Sequence, residues 1–346
     1  MKAKKLLEYK LKGERNISSR KPLIIGERLF VVFIFDKKGF VASKIICLNK
    51  NNFDVQWEFD YPFVINNILK STTDNLLVCF MDGKLKEFNP NNGNLLNTFE
   101  LGMNRCGQAS SIEENKIVVG GVQGTKLTNC FDLLSHSIKW SFDNGGHSYI
   151  PLIKENKVYQ CTENKIRCLE LSTGNLIWEA YEKSTYIFNP VFLNGIIVVG
   201  GHGLINIYDS KNSKRLHQIK TGVRESIRAI ITENNTLYFG DSSGLFYAYK
   251  IYHKKNLFGT LKINSKQLWN FKSKGSIESL PLINGESVLF INDDNKLICL
   301  DKETGKSIWD FNTKGEAGIS GITIENENIY LSVGKGYVYK LNENTI

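Results

Sequence analysis

Seven cysteines, five histidines and one short acidic run are the side chains of this 346-residue sequence whose types could support nucleophilic or metal chemistry. A thiolate attacks and ligates where its pKa is depressed and solvent reaches it. Cys47, Cys130, Cys168 and Cys299, however, all fall two residues before one recurring polar position, occupied by Asn49, Asp132, Glu170 and Asp301. Four of seven thiols in one small, inward-facing slot is a packing pattern, because free cysteine behaves as a small hydrophobe. Cys79 and Cys161 sit in apolar runs and belong with the core, while Cys106, after Arg105 in a connection, is the thiol expected at the surface. An odd, dispersed set without CxxC fits a reducing compartment. His136, His147, His202, His217 and His253 share no metal-ligand spacing. The run Asn292-Asp293-Asp294-Asn295 lacks the spaced acids and closing glutamate of a calcium loop. The glycine clusters Gly120-Gly121 and Gly200-Gly201-His202-Gly203 have strand patterns on both sides, whereas a dinucleotide loop opens a helix. No catalytic residue, cofactor or metal is therefore expected.

What positions these residues is a repeat. Asn164–Trp178 (NKIRCLELSTGNLIW) and Asn295–Trp309 (NKLICLDKETGKSIW) are the same sentence, each with an acid eight positions before the tryptophan. Aligned on that position stand Asn49, Asn89, Asp132, Glu170, Asp209, Lys250, Asp301 and Asn342. Trp57, Asn97, Trp140, Trp178, His217 and Trp309 follow at the same interval, and Trp269 follows Lys250 after eleven extra residues. Gly83, Asn164, Gly203, Gly244, Asn295 and Gly336 occupy a turn slot six residues earlier, where positive φ is useful. Pro22, Pro151, Pro190 and Pro281 share another slot, before an apolar segment. Each unit predicts four short strands, exemplified by Pro151–Lys154, Val158–Cys161, Ile166–Leu171 and Leu176–Ala180, from alternation and β-branched content. A period of about 40 residues with four strands per unit is a propeller blade.

Eight sets of the first three strands are present but only seven internal fourth strands. Lys5–Gly13 matches Trp309–Gly315 with Leu7 in the tryptophan slot, so the N-terminal strand is expected to complete the last blade. Pairing the chain ends removes open edges. The prediction is an all-β protein: an eight-bladed β-propeller of four-stranded antiparallel blades in a single domain, 1–346, with a basic insertion at 251–267 in blade six.

The Cys-x-Asp-x-x-Thr-Gly-Lys-x-x-Trp segment Cys299–Trp309 resembles the tryptophan-docking repeat of pyrroloquinoline-quinone-type propellers, the quinoprotein-like and BamB-like superfamily. The similarity covers nearly the whole chain and is worn where Asn97 and His217 replace tryptophan. The resemblance implies that each tryptophan lies against the neighbouring blade and that the turn glycine lets the backbones approach. It also raises quinone-dependent alcohol oxidation. Those enzymes are longer and often carry vicinal cysteines or a CxxCH haem segment, and this sequence has neither.

The net charge of +9 is concentrated. Residues 1–21 hold eight Lys or Arg against Glu8 and Glu14, residues 250–275 hold seven lysines and no acid, and the remainder is net acidic. The blade topology places both segments on one face, predicting a basic arc of Lys2, Lys4, Lys5, Lys254, Lys255, Lys262 and Lys266 that attracts an anionic partner. A central channel is expected to be lined by Arg20, Asn66, Tyr149, Asn189, Arg228 and Ser279. The N-terminus lacks a signal-peptide pattern and no run is long enough to span a membrane, so a cytoplasmic, monomeric chain is expected. The leading reading is a non-catalytic protein-interaction scaffold docking another protein, with an acidic surface, through its loops and the arc. The alternatives are a small-ligand or quinone-dependent enzyme or sensor using the channel, and an anion or nucleic-acid binder.

Overall fold

The computed structural model describes residues 3–13, 16–37, 40–182, 188–222, 225–255, 261–316 and 321–343. Eight antiparallel sheets succeed one another along the sequence, and the architecture is an all-β, eight-bladed propeller. Blade four is representative: Leu152–Lys154, Lys157–Cys161, Lys165–Glu170 and Leu176–Tyr181 lie side by side in chain order. The proline slot stands immediately before the innermost strand, the place in a sheet where a missing N–H does least harm. Gly83, Gly203, Gly244, Asn295 and Gly336 take positive φ in their hairpins. Asn164 does not; its turn closes through Thr162 N–H to the Lys165 carbonyl at 2.9 Å.

Blade one departs from four strands. Its innermost strand is broken by Arg20-Lys21-Pro22 into Asn16–Ser19 and Leu23–Ile25, both paired with Arg28–Lys37. Proline cannot donate to the ladder, so the pairing stops and restarts around it.

Two compact units make up the chain. The first is Met1–Asn104, Ser279–Lys302 and Lys306–Ile346, carrying blades one, two, seven and eight; the second is Arg105–Glu278 and Glu303–Gly305, carrying blades three to six. Within each unit the core lies between successive sheets. Arg28–Lys37 shows why its sequence is nearly all apolar: Leu29, Val31, Phe33 and Phe35 pack toward blade eight, while Phe30 and Val32 pack toward blade two. A strand buried on both faces loses the polar alternation that a half-exposed one keeps. The fourth strands are half-exposed and read accordingly, as in Val55–Tyr61.

Lys4–Lys10 pairs antiparallel with Tyr337–Asn342, so the first strand completes blade eight. Leu7 stands opposite Lys340 after a one-residue register shift, as Trp309 stands opposite Cys299 after a shift in blade seven. The same bulge recurs because the same eight-residue interval recurs.

Trp57, Trp140, Trp178 and Trp309 each face a buried cysteine across the ladder, Cys47, Cys130, Cys168 and Cys299, and Trp269 faces Ala248. Three indole N–H groups donate to carbonyls of the next blade: Trp57 to Pro90 at 3.0 Å, Trp140 to Leu171 at 2.8 Å and Trp178 to Ser210 at 3.2 Å. The four cysteines are closed to solvent, and burial pushes each thiol up to about 12, the opposite of activation. Cys106 corrects the expectation of an exposed thiol. The connection assigned to it is itself the innermost strand of blade three, Cys106–Ala109, and the side chain is fully buried. Among the described residues, no helix is long and apolar enough to cross a membrane.

Candidate docking surface on the sixth blade

The described part of blade six's extra residues lengthens its third and fourth strands. Leu245–Lys255 and Leu261–Lys272 run as one antiparallel ribbon, with pairing continued from Lys250↔Lys266 out to Lys255↔Leu261. Residues rich in Ile, Tyr, Leu and Lys alternate along it, so the pleat sorts them onto two faces.

The inner face is apolar and clamped. Ile251 and Ile263 are 1% and 2% exposed and join the core shared with Ile196, Ile207 and Ile230 of blades five and six. His217, in the tryptophan slot of blade five, meets Ser265 Oγ at 2.8 Å through Nε2, so it does pack between blades. Tyr249 Oη donates to Gln267 Oε1 at 2.7 Å. His253 also lies on this face, its Nε2 buried without a hydrogen-bond partner. Burial pushes the pKa of both histidines down.

The outer face is basic and open. Lys250 stands opposite Lys266, Tyr252 opposite Asn264, and Lys254 opposite Lys262. Lys254, Lys262, Lys266 and Asn264 are exposed, as is Tyr252 at 43%. Lys250 Nζ reaches the Asn234 carbonyl at 2.6 Å, and no acid among the described residues pairs with the other three lysines. Like charges directly opposite each other destabilise a ladder.

Other blades neutralise such positions. Lys44 contacts Glu58 at 2.9 Å and Asp60 at 3.6 Å across blade one. Glu179 takes Lys165 at 2.9 Å and Arg167 at 2.6 Å in blade four, and Asp310 takes Lys296 at 3.3 Å in blade seven. In each case a third-strand cation meets a fourth-strand carboxylate. In blade six the stretch from Ser242 to Ile277 contains no acid at all.

The remaining residues of the expected arc are in the first unit or outside the description. Lys4 and Lys5 are exposed on Lys4–Lys10, and Lys5 is neutralised by Glu8 at 2.8 Å, a carboxylate also held by Lys314 at 2.6 Å. Those two lysines hold the Glu8 pKa down. Lys2 and the side chain of Lys255 lie outside the described residues.

The expected channel residues divide by role. Arg20 is buried and donates from Nε to the carbonyls of Ile65 and Asn66 at 3.2 and 2.9 Å; desolvation lowers its pKa to about 10. Asn66 is buried, and Ser279 Oγ donates to the Ile291 carbonyl at 2.7 Å. Arg20 and Ser279 thus hold backbone carbonyls. Asn189 accepts from Ile150 N–H at 3.0 Å. Tyr149 and Arg228 belong to a row of side chains around the buried Phe188 in the second unit, which sequence spacing does not reveal. Tyr149 contacts His147 and Phe188, both at 5.3 Å between centroids, and Phe188 contacts His202 at 6.1 Å. Arg228 lies 5.1 Å over Phe188 and 3.5 Å from Glu278.

Other sequence candidates resolve as structure. Gly200 ends one strand at a point where a Cβ would stand 2.2 Å from the Ile227 carbonyl, so its cluster serves backbone approach. Asn292 Oδ1 accepts from Lys296 N–H at 3.0 Å and closes the Asp293-Asp294 hairpin. Among the described residues, no three His, Cys, Asp or Glu side chains converge as a metal site.

Fold, closure and repeated tryptophan slots together define an eight-bladed propeller built from one repeated blade. Residues 258–345, about a quarter of the chain, match the family described as outer membrane protein assembly factor BamB, and that stretch is similar to its repeat. Comparison with curated proteins found no match. Among solved structures, BamB from Moraxella catarrhalis is similar at 15% identity and TM-score 0.69, covering 99% of this chain and 100% of that one. Sqt1 from Chaetomium thermophilum, bound to the N-terminus of ribosomal protein L10, is similar at 12% identity and TM-score 0.78, covering 96% and 98%. The computationally designed Ika8 protein is similar at 14% identity and TM-score 0.78, with the same coverage.

Proposed function

We propose that this chain is a non-catalytic interaction scaffold that docks a protein partner through its basic surface. The observation that carries the reading is the lysine face of the blade-six ribbon, built from residues that no other blade has and left without the acids other blades supply. Lys254, Lys262 and Lys266 are its centre, backed by Lys250. A rigid stack of sheets with buried, unactivated thiols suits a platform. The Sqt1 structure, a propeller bound to the N-terminus of a ribosomal protein, supports that use of the fold. A cytoplasmic setting accords with seven unpaired cysteines.

The test is quantitative cross-linking and affinity purification from the native cell, comparing the wild type with a Lys254→Glu, Lys262→Glu, Lys266→Glu variant. Loss of specific partners from a variant that melts no lower than the wild type supports the reading; an identical partner set from both proteins overturns it. The row from His147 to Arg228 favours a second reading, a small-ligand site. Native mass spectrometry of protein purified from its own cell tests that one.

A further inference from the structure

We propose that the ribbon receives an acidic segment of the partner in extended form, laid as an added strand beside Leu261–Lys272. The inference rests on the scaffold reading and specifies its ligand. Leu261–Lys272 is the last strand of its sheet, and no described strand pairs with its outer edge. Such an edge carries unused backbone donors and acceptors that an extended chain can take.

Side-chain chemistry then chooses the kind of strand. Elsewhere in this protein, lysines on one strand are met by carboxylates on the next strand outward, at 2.9 Å for Lys44–Glu58, 2.9 Å for Lys165–Glu179 and 3.3 Å for Lys296–Asp310. On the ribbon the outermost strand itself presents Lys262 and Lys266, backed by Lys254 and Lys250. The next strand outward, where the pattern calls for carboxylates, is one that no described strand supplies. Lys262 and Lys266 are four residues apart, about 13 Å along a strand, the separation of acids at positions i and i+4 of an extended peptide. An incoming acidic strand also relieves the repulsion built into Lys250↔Lys266 and Lys254↔Lys262.

Lysines on an edge strand also discourage self-pairing. That role does not call for a lysine at position 250, which is flanked on both sides by paired strands. Nucleic acid fits less well. Among the described residues of the face a single aromatic, Tyr252, is exposed, whereas single-stranded binders stack successive bases on several rings.

The experiment uses the full chain and fluorescence anisotropy at about 50 and 200 mM salt. The probes are a twelve-residue peptide alternating glutamate with threonine, its glutamine analogue, and a twelve-nucleotide mixed-sequence single-stranded RNA. The expected result is salt-sensitive binding of the glutamate peptide, no binding of the glutamine peptide, weaker binding of RNA, and at least a tenfold loss of peptide affinity in Lys254→Gln, Lys262→Gln, Lys266→Gln. Tighter RNA binding that falls in the same variant overturns the inference in favour of nucleic acid. No peptide binding, with self-association appearing in the variant, overturns it in favour of edge protection alone. If the peptide does not bind but the ribbon variant still loses its cross-linked partners in the cell, the scaffold reading stands and the acidic-strand inference falls. Circular dichroism and a thermal melt confirm that the variant is folded.

Discussion

Trp140 covers Gly174 so closely that a Cβ on the glycine would stand 2.5 Å from indole Cδ2, and Gly174 itself has φ +74°. Trp57 over Gly93 and Trp269 over Gly305 repeat the contact, with a Cβ at 2.7 and 2.5 Å. One residue type therefore satisfies two demands: a left-handed turn and a surface flat enough for the ring of the preceding blade.

These two demands separate by mutation. Gly174→Ala should destabilise by about 2–4 kcal/mol, combining left-handed strain with overpacking. Gly195→Ala, at φ +82° with nothing within 4 Å, should lose only about 1–2 kcal/mol. Urea denaturation of both variants measures the difference. Equal losses would mean that the indole contact contributes nothing.

Thiol reactivity follows from burial. All seven cysteines are buried. Fewer than one thiol per chain should react with an aromatic disulfide reagent at pH 8 in native protein, against all seven in guanidinium. Rapid native labelling of Cys106 would place its strand at the surface.

Acid should weaken the fold through its histidines. Burial holds His147, His217 and His253 below the ordinary imidazole pKa. Unfolding frees each to bind a proton near pH 6.5, so their contribution is fully present above that pH and is lost as pH falls towards the folded values. Glu182 and Glu343, pushed up by burial, work in the opposite direction as pH falls towards about 4.5. The melting temperature should fall between pH 7.5 and 5.5, and His217→Gln with His253→Gln should flatten that fall. An unchanged slope in the double variant would remove the ribbon's inner face from the account.

Charge reversal on the ribbon should stabilise the free protein. Lys266→Glu turns the repulsive pair with Lys250 into an attractive one and should raise the melting temperature by roughly 1–2 °C. Differential scanning fluorimetry at low salt reads this, and the gain should shrink as salt rises.

Removing residues 1–10 should open blade eight. Leu7 and Tyr9 leave the core they share with Tyr330 and Val338, and the Tyr337–Asn342 edge becomes free. A loss of about 3–6 kcal/mol is expected, with aggregation. A truncated chain that melts like the full one would deny the closure.

The repeat was legible because its signals are local. Alternation and turn residues recur along the chain, the eight-residue interval between acid and tryptophan is intact in blades three, four and seven, and Leu7 at the matching interval is enough to assign the first strand to the last blade. The cysteine slot was legible for the same reason: a small buried residue opposite each large one.

What tertiary structure alone decided depends on partners distant in sequence. Arg20 reads in sequence only as a polar residue early in an innermost strand, and the fold alone shows that its Nε donates to the carbonyls of Ile65 and Asn66. Cys106 looks exposed until its segment becomes a strand. The lysines of residues 250–266 look like loop decoration until the register sets Lys250 against Lys266 and Lys254 against Lys262. Composition could show that acids are missing from this stretch. Only the pairing shows which cations oppose each other, because charge energy depends on distance across the ladder and not on spacing along the chain.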